Sequence, residues 1–467
     1  MRDLDVTALL RDLQSAIVRG EDDLARRRVE PLDELVAREP LASVRWTSSR
    51  ETLTQLLARA DDPAAPLVAA HVAELIVFRV NRQAELALAA ARRAPRVLVH
   101  ATGRRCSFDE ALDALVARAP DRALVASALP AGAEAAGHAA RLARRREGEI
   151  ERLLGSGAPE PAARRLPQDR PAHAGCAPPS PTPEPVVHRS PLVRAVAARL
   201  GRSLVLELGP RVVSTTTLED TVARGAGHGF DVGFPREMSM QRWMSLLPSP
   251  FRDGEPIGAL AMPRALAPAS FLLGFSRLGC AWSLAARSRT LPLALSRTPH
   301  GLEDRTTGAL FARWFGEGAF QSRVLGLTRA EQSRAGRQAA TILAHRLLRC
   351  ALAAALLPDL LDDRPREVRS TWEELARPVF GVALAPGLVG LVPRVESSAP
   401  TALAAFGLAA LLALELRERF DEDCFRNPRT VEELRHRRSS SPALVADPGE
   451  VERGLGLLVR WLSERLA

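Results

Sequence analysis

The chain has 467 residues, is 46% hydrophobic and carries a formal charge of +9; a count of the rows finds no lysine, so all 64 basic residues are arginines. That hydrophobic share supports two to four domain-sized units or one large helical body, and excludes a chain that is disordered throughout. The arginines sit beside Glu and Asp along helix-like segments, as in ELRERFDED (415–423), so the charge reads as solvated helix faces and no nucleic-acid partner is expected.

The N-terminus, MRDLDVTALLRDL, has acidic residues where a secretory signal needs a basic stretch and then an apolar run. Five widely spaced cysteines, Cys106, Cys176, Cys280, Cys350 and Cys424, contain no CxxC pair and are odd in number. Both features predict a cytoplasmic protein in a reducing compartment. Apolar residues recur at three- and four-residue spacing, as in Val6-Leu9-Leu10-Leu13 and Val72-Leu75-Ile76-Val80, and TSSRET (47–52) supplies a helix start. Residues 1–155 are therefore predicted to be a helical N-terminal region. Residues 156–191 are rich in proline and poor in apolar side chains, the composition of an extended or disordered linker.

Helical patterning returns over residues 192–467. SLVLEL (203–208) is the best candidate strand, and FRDGEPIGALAMP (251–263) reads as a hairpin-like or irregular stretch. Helices are predicted near 268–287, 304–319, 328–356, 367–376, 400–420, 428–437 and 448–465. The most apolar run, Thr401–Glu415, is too short and too soon charged for a bilayer span, so no membrane association is expected. His345 lies in the apolar TILAHRLL and reads as a core histidine.

The informative stretch is FLLGFSRLGCAWSLAA (271–286). Phe271, Phe275, Leu278 and Trp282 form one apolar stripe. About 100° round the helix, Ser276, Cys280 and Ser283 form a face of small groups. Residues at i and i+4 lie one above the other, which is why the zinc motif HExxH places its two imidazoles at that spacing with a glutamate as general base.

Several segments together resemble the oligoendopeptidase F / thimet oligopeptidase group of gluzincin metallopeptidases. The active helix of that group runs roughly LFHEAGHAEHFA; against GFSRLGCAWSLA (274–285), HExxH falls on Ser276-Arg277-Leu278-Gly279-Cys280. Its second helix, near SVTEAFAFLFE, corresponds to RTTGALFARWFGEG (305–318) and puts Gly308 at the third ligand position. GFDVGFPREMSMQRWM (229–244), residues 412–435 and residues 121–154 resemble further segments of the group. The resemblance implies a mainly α-helical, gluzincin-like body with a central cleft and at most a small β element, residues 192–467 forming the peptidase-like module.

The same resemblance implies that the chemistry is gone. Ser276 offers a neutral hydroxyl, Arg277 cannot act as a base and would repel Zn²⁺, and Gly308 has no side chain. Cys280 alone cannot make a site. The tyrosine that would stabilise an oxyanion has no counterpart, since the chain contains no tyrosine. The expected protein is a pseudopeptidase without cofactor that holds a protein or peptide partner in the former cleft, with Ser283 and Arg277 among its lining residues and Arg277 favouring an acidic group. Two alternatives stay open: an active zinc oligopeptidase with displaced ligands, for which Cys280, His300 and Glu303 are candidates, and an unrelated helical interaction protein. No histidine has another four residues away, which weighs against the enzyme. Cys280 reads as a buried, inert thiol, with a thiol activated by Arg277 as the rival.

Overall fold

Apolar spacing of three and four residues becomes helix almost wherever it occurs. The computed structural model describes residues 4–26, 32–59, 64–93, 97–99, 104–106, 140–142, 144–150, 191–214, 268–287, 292–298, 301–389, 398–440 and 447–467, with isolated positions elsewhere. The N-terminal region comprises α1 (Val6–Arg26), α2 (Leu32–Val36), α3 (Arg50–Leu57) and α4 (Ala65–Arg93), followed by β1 (Val97–Val99) and β2 (Arg104–Cys106). Leu9, Leu13, Ala16 and Ile17 share a buried cluster with Leu53, Leu56, Val68, Val72 and Ile76. Ser49 caps α3, its hydroxyl accepting the Thr52 N–H at 3.1 Å, so TSSRET does start a helix. At 29 residues, α4 is about 43 Å long. Its first half belongs to the N-terminal core, and Ala84, Leu88 and Ala91 in its second half belong to the main core.

The strands correct the expectation of a purely helical N-terminal region. Val97 pairs with Cys106 and Val99 with Arg104 in an antiparallel ladder. Val97-Leu98-Val99 is a short β-favouring run with a proline two residues before it, too brief for a helical face.

The main body is built from α5 (Pro191–Ser214), α6 (Pro268–Ala286), α7 (Leu293–Ser296), α8 (Leu302–Phe315), α9 (Gly318–Arg323), α10 (Arg329–Leu361), α11 (Pro365–Phe380), α12 (Ala399–Phe420), α13 (Pro428–Ser440) and α14 (Pro448–Leu466). SLVLEL, expected as a strand, lies inside α5. Leu204, Val205, Leu208 and Val212 are all buried, a helical set that the local alternation of SLVLEL conceals; packing on α10 decides the matter. The 304–319 helix is broken at Gly316-Glu317 into α8 and α9. Residues 156–190, 229–244 and 252–263 lie outside the described residues, as do the expectations placed on them.

Helix α10 is the axis of the body. A capping box starts it, with Glu331 accepting the Thr328 N–H at 2.8 Å, and α5, α6, α11, α12 and α14 pack around it. By length and composition α10 and α12 are apolar enough to cross a membrane, with mean hydropathies of 1.5 and 1.8. The reading of the 401–415 run as too short is thus corrected: α12 extends it to 22 residues. In the fold, 83% and 61% of these apolar windows are buried against other protein.

Close helix approach needs positions without a Cβ. Where α12 crosses α14, a Cβ on Gly454 would lie 2.0 Å from the Gly407 carbonyl oxygen. Gly454→Ala is expected to destabilise the protein by about 1–3 kcal/mol in urea unfolding. Gly456→Ala, two residues along the same helix and facing open space, is expected to stabilise it by about 0.5–1 kcal/mol.

Candidate functional site

The apolar stripe of α6 holds it against α8. Phe271, Phe275, Leu278 and Trp282 are all at most 3% exposed. Phe271 stacks on Phe315 with centroids 5.7 Å apart, and Phe275 meets the same ring at 5.8 Å. Phe251 meets Trp282, Phe311 and Trp314 edge to face, with centroids 5.2–5.4 Å apart. Such pairs add about 0.5–1.5 kcal/mol each beyond the area they bury.

On the neighbouring face the two helices touch backbone to backbone. A Cβ on Gly279 would lie 2.6 Å from the Thr307 carbonyl oxygen and 2.9 Å from Gly308 Cα. A Cβ on Gly308 would lie 2.6 Å from both Cys280 Sγ and the Ser276 carbonyl oxygen, and 3.2 Å from Ser276 Oγ. Ser276, Cys280 and Gly308, separated by up to 32 positions in sequence, are therefore brought into one contact. The space that a ligand side chain at position 308 would need is filled by Cys280 and the α6 backbone. These residues do not fit a zinc ion: one thiol, one hydroxyl and no third donor.

Ser283 does not line an open cleft, as the sequence suggested; it is 0% exposed. Its hydroxyl donates to Asp304 Oδ1 at 2.9 Å. Asp304 also accepts from Arg438 Nη2 at 3.2 Å on Oδ1 and from Arg297 Nε at 2.8 Å on Oδ2. One buried carboxylate thus joins α6, α8, α13 and the segment before α8. Arg277 is half-buried on the flank of the small-residue face, as are Ser276 and Cys280.

Glu303 is buried and committed elsewhere: the Thr298 N–H and hydroxyl donate to it at 3.3 and 2.8 Å. Burial, then the neighbouring Asp304, raises its pKa. His300 lies outside the described residues, and among those described no three His, Cys, Asp or Glu side chains are grouped to hold a metal. The displaced set Cys280, His300 and Glu303 therefore has Glu303 already hydrogen-bonded within the protein. His345 is buried on α10, the core position its context predicts.

Cys280 keeps part of its surface, yet burial and then Asp304 push its thiol up to about 11. Arg305, Arg297 and Arg346 oppose that shift without cancelling it. Sequence reasoning missed Asp304, Arg297 and Arg438; the two arginines lie 7 and 134 positions from Asp304 in sequence and meet it only in the fold.

No family model matches the chain, and no curated protein matches it. The crystal structure of an M32 carboxypeptidase from Deinococcus radiodurans R1 superposes with a TM-score of 0.49 at 12% identity, covering 98% of this chain and 99% of that one. A likeness at this level assigns this chain neither a family nor an activity.

Asp304→Asn preserves shape but removes the negative charge that Arg297 and Arg438, which are 14% and 10% exposed, share. It is expected to cost about 3–5 kcal/mol in chemical denaturation. A thiol with a pKa of about 11 is ionised only to about one part in a thousand at pH 8. Site-resolved mass spectrometry is expected to find native Cys280 slow to alkylate at pH 8 and faster as pH rises toward 11.

Proposed function

We propose that this chain is a catalytically inactive, metallopeptidase-like protein, a pseudopeptidase that binds a peptide or protein partner beside the former zinc helix. The observation that carries the reading is the α6–α8 crossing, which joins the three positions of the resembled ligand set while none of them supplies a usable set of donors. General-base chemistry has no candidate there, because Arg277 stands where the glutamate would and a guanidinium accepts no proton. The half-buried residues Ser276, Arg277 and Cys280 are the surface left for a ligand, and Arg277 favours an acidic one. The partner is of peptide or protein class, and the reading requires no cofactor.

The test is zinc content of the purified protein by elemental mass spectrometry, run beside hydrolysis of a mixed peptide library. Zinc far below one per chain with no cleavage is the expected result. Zinc near one per chain, removed by a chelator together with activity, would overturn the reading in favour of a displaced-ligand peptidase. Arg277→Glu is expected to weaken retention of acidic peptides by about ten-fold or more; unchanged retention would move the binding surface away from this helix.

A further inference from the structure

Several buried arginines in this protein donate to a carboxylate. Arg82 reaches Asp23 at 2.7 Å and Arg144 reaches Glu147 at 2.9 Å. Arg297 and Arg438 share Asp304. Arg313, in the last turn of α8, breaks the pattern. Its Nε and Nη1 are sealed from solvent and have no hydrogen-bond partner among the described residues. The carboxylate facing it, Glu317, has Oε1 3.6 Å from Nε, an ion-pair distance too long for a hydrogen bond.

Glu317 is engaged elsewhere. It accepts from Trp461 Nε1 and from Arg465 Nη2 on α14, both at 2.8 Å. Arg465 Nε also donates to the Gly316 carbonyl at 3.3 Å. Both guanidiniums lie over the Trp461 ring, with Arg313 Cζ 5.1 Å and Arg465 Cζ 4.3 Å from its centroid. The ring is seated on the break between α8 and α9, where a Cβ on Gly316 would lie 2.8 Å from Trp461 Cη2. Two guanidiniums thus meet one carboxylate, which leaves one positive charge in excess. Arg417, the next cation within electrostatic reach of Arg313, has its own partner in Glu422 at 2.8 Å. Burial lowers the pKa of Arg313; Glu317 opposes the shift and Arg465 adds to it. The cluster reaches the surface, because the side chains of Arg313, Glu317 and Arg465 are 14%, 25% and 27% exposed. Nη2 is not among the sealed nitrogens of Arg313.

We propose that Arg313 anchors a carboxylate-binding site between α8 and α14, with Arg465 as the second cation and Trp461 as its apolar wall. The site is independent of the pseudopeptidase reading: Arg313 meets α14, whereas Gly308 on the same helix meets α6. One excess positive charge matches one negative charge, and a guanidinium fork fits the two oxygens of a carboxylate. A phosphate dianion is disfavoured, because it would set two negative charges beside Glu317. The carboxylate has two possible sources, a free small acid or an Asp or Glu side chain of a peptide.

Titration of the full chain, followed by calorimetry and indole fluorescence, separates them. The probes are acetate against chloride at equal ionic strength, acetyl-Ala-Glu-Ala amide against its glutamine counterpart, and inorganic phosphate. A response to acetate identifies a free acid; a response to the glutamyl peptide without one to acetate identifies a side chain. Either supports the site if Arg313→Gln weakens it by about ten-fold or more. Trp461→Phe is expected to abolish the fluorescence change, which places the ligand beside that indole. Arg313→Met is expected to melt no lower than the wild type, since replacing a buried cation that makes no hydrogen bond with an apolar side chain is neutral or stabilising, and to lose the response. The proposal is overturned if neither carboxylate binds, if phosphate binds more tightly than both, or if Arg313→Gln leaves binding unchanged. It is equally overturned if the fluorescence change survives in Trp461→Phe, or if Arg313→Met melts lower, which would make Arg313 a packing residue.

Discussion

The contact on which the region depends is the approach of Gly279 to Gly308. Two helices can meet backbone to backbone only where neither carries a Cβ, and here each glycine occupies space the other helix would otherwise exclude. That approach brings Phe271 and Phe275 onto Phe315 and Trp282 toward Phe311. It also sets the small groups of α6 directly against α8. The packing that orders these residues leaves no volume at position 308 for a side chain that could ligate a metal. Structural closeness and chemical emptiness at this site have one cause.

Charge is the second organising constraint. Removing a charged group from water is costly unless a counter-charge and hydrogen bonds follow it. Asp304 meets that condition with Ser283, Arg297 and Arg438, and in doing so ties α13 to the α6–α8 pair. Glu303 meets it through Thr298. Ser283, Glu303 and Asp304 are therefore already engaged within the protein.

Much of this arrangement is legible in residue spacing alone. The apolar stripe of α6 follows from its four-three-four spacing, and all four of its residues are buried. The helices after residue 268 follow the same periodicity, to within a few residues at their ends. SLVLEL misled because six residues of alternation resemble a strand, whereas the helical set to which they belong extends on to Val212. Ser283 misled for another reason: a small polar residue on a small-residue face suits an open cleft and a buried hydrogen bond equally, and only Asp304, 21 residues away, decides between them.

By itself, the sequence determined the helical class, the core stripe of α6 and the absence of imidazole, carboxylate base and phenol from the positions compared with the peptidase helices, because these depend on residue type and local spacing alone. The tertiary structure decided which of those positions coincide in space and which polar groups are spoken for. Those are properties of pairs, set by the crossing of helices distant in sequence, and no single segment of the chain contains them.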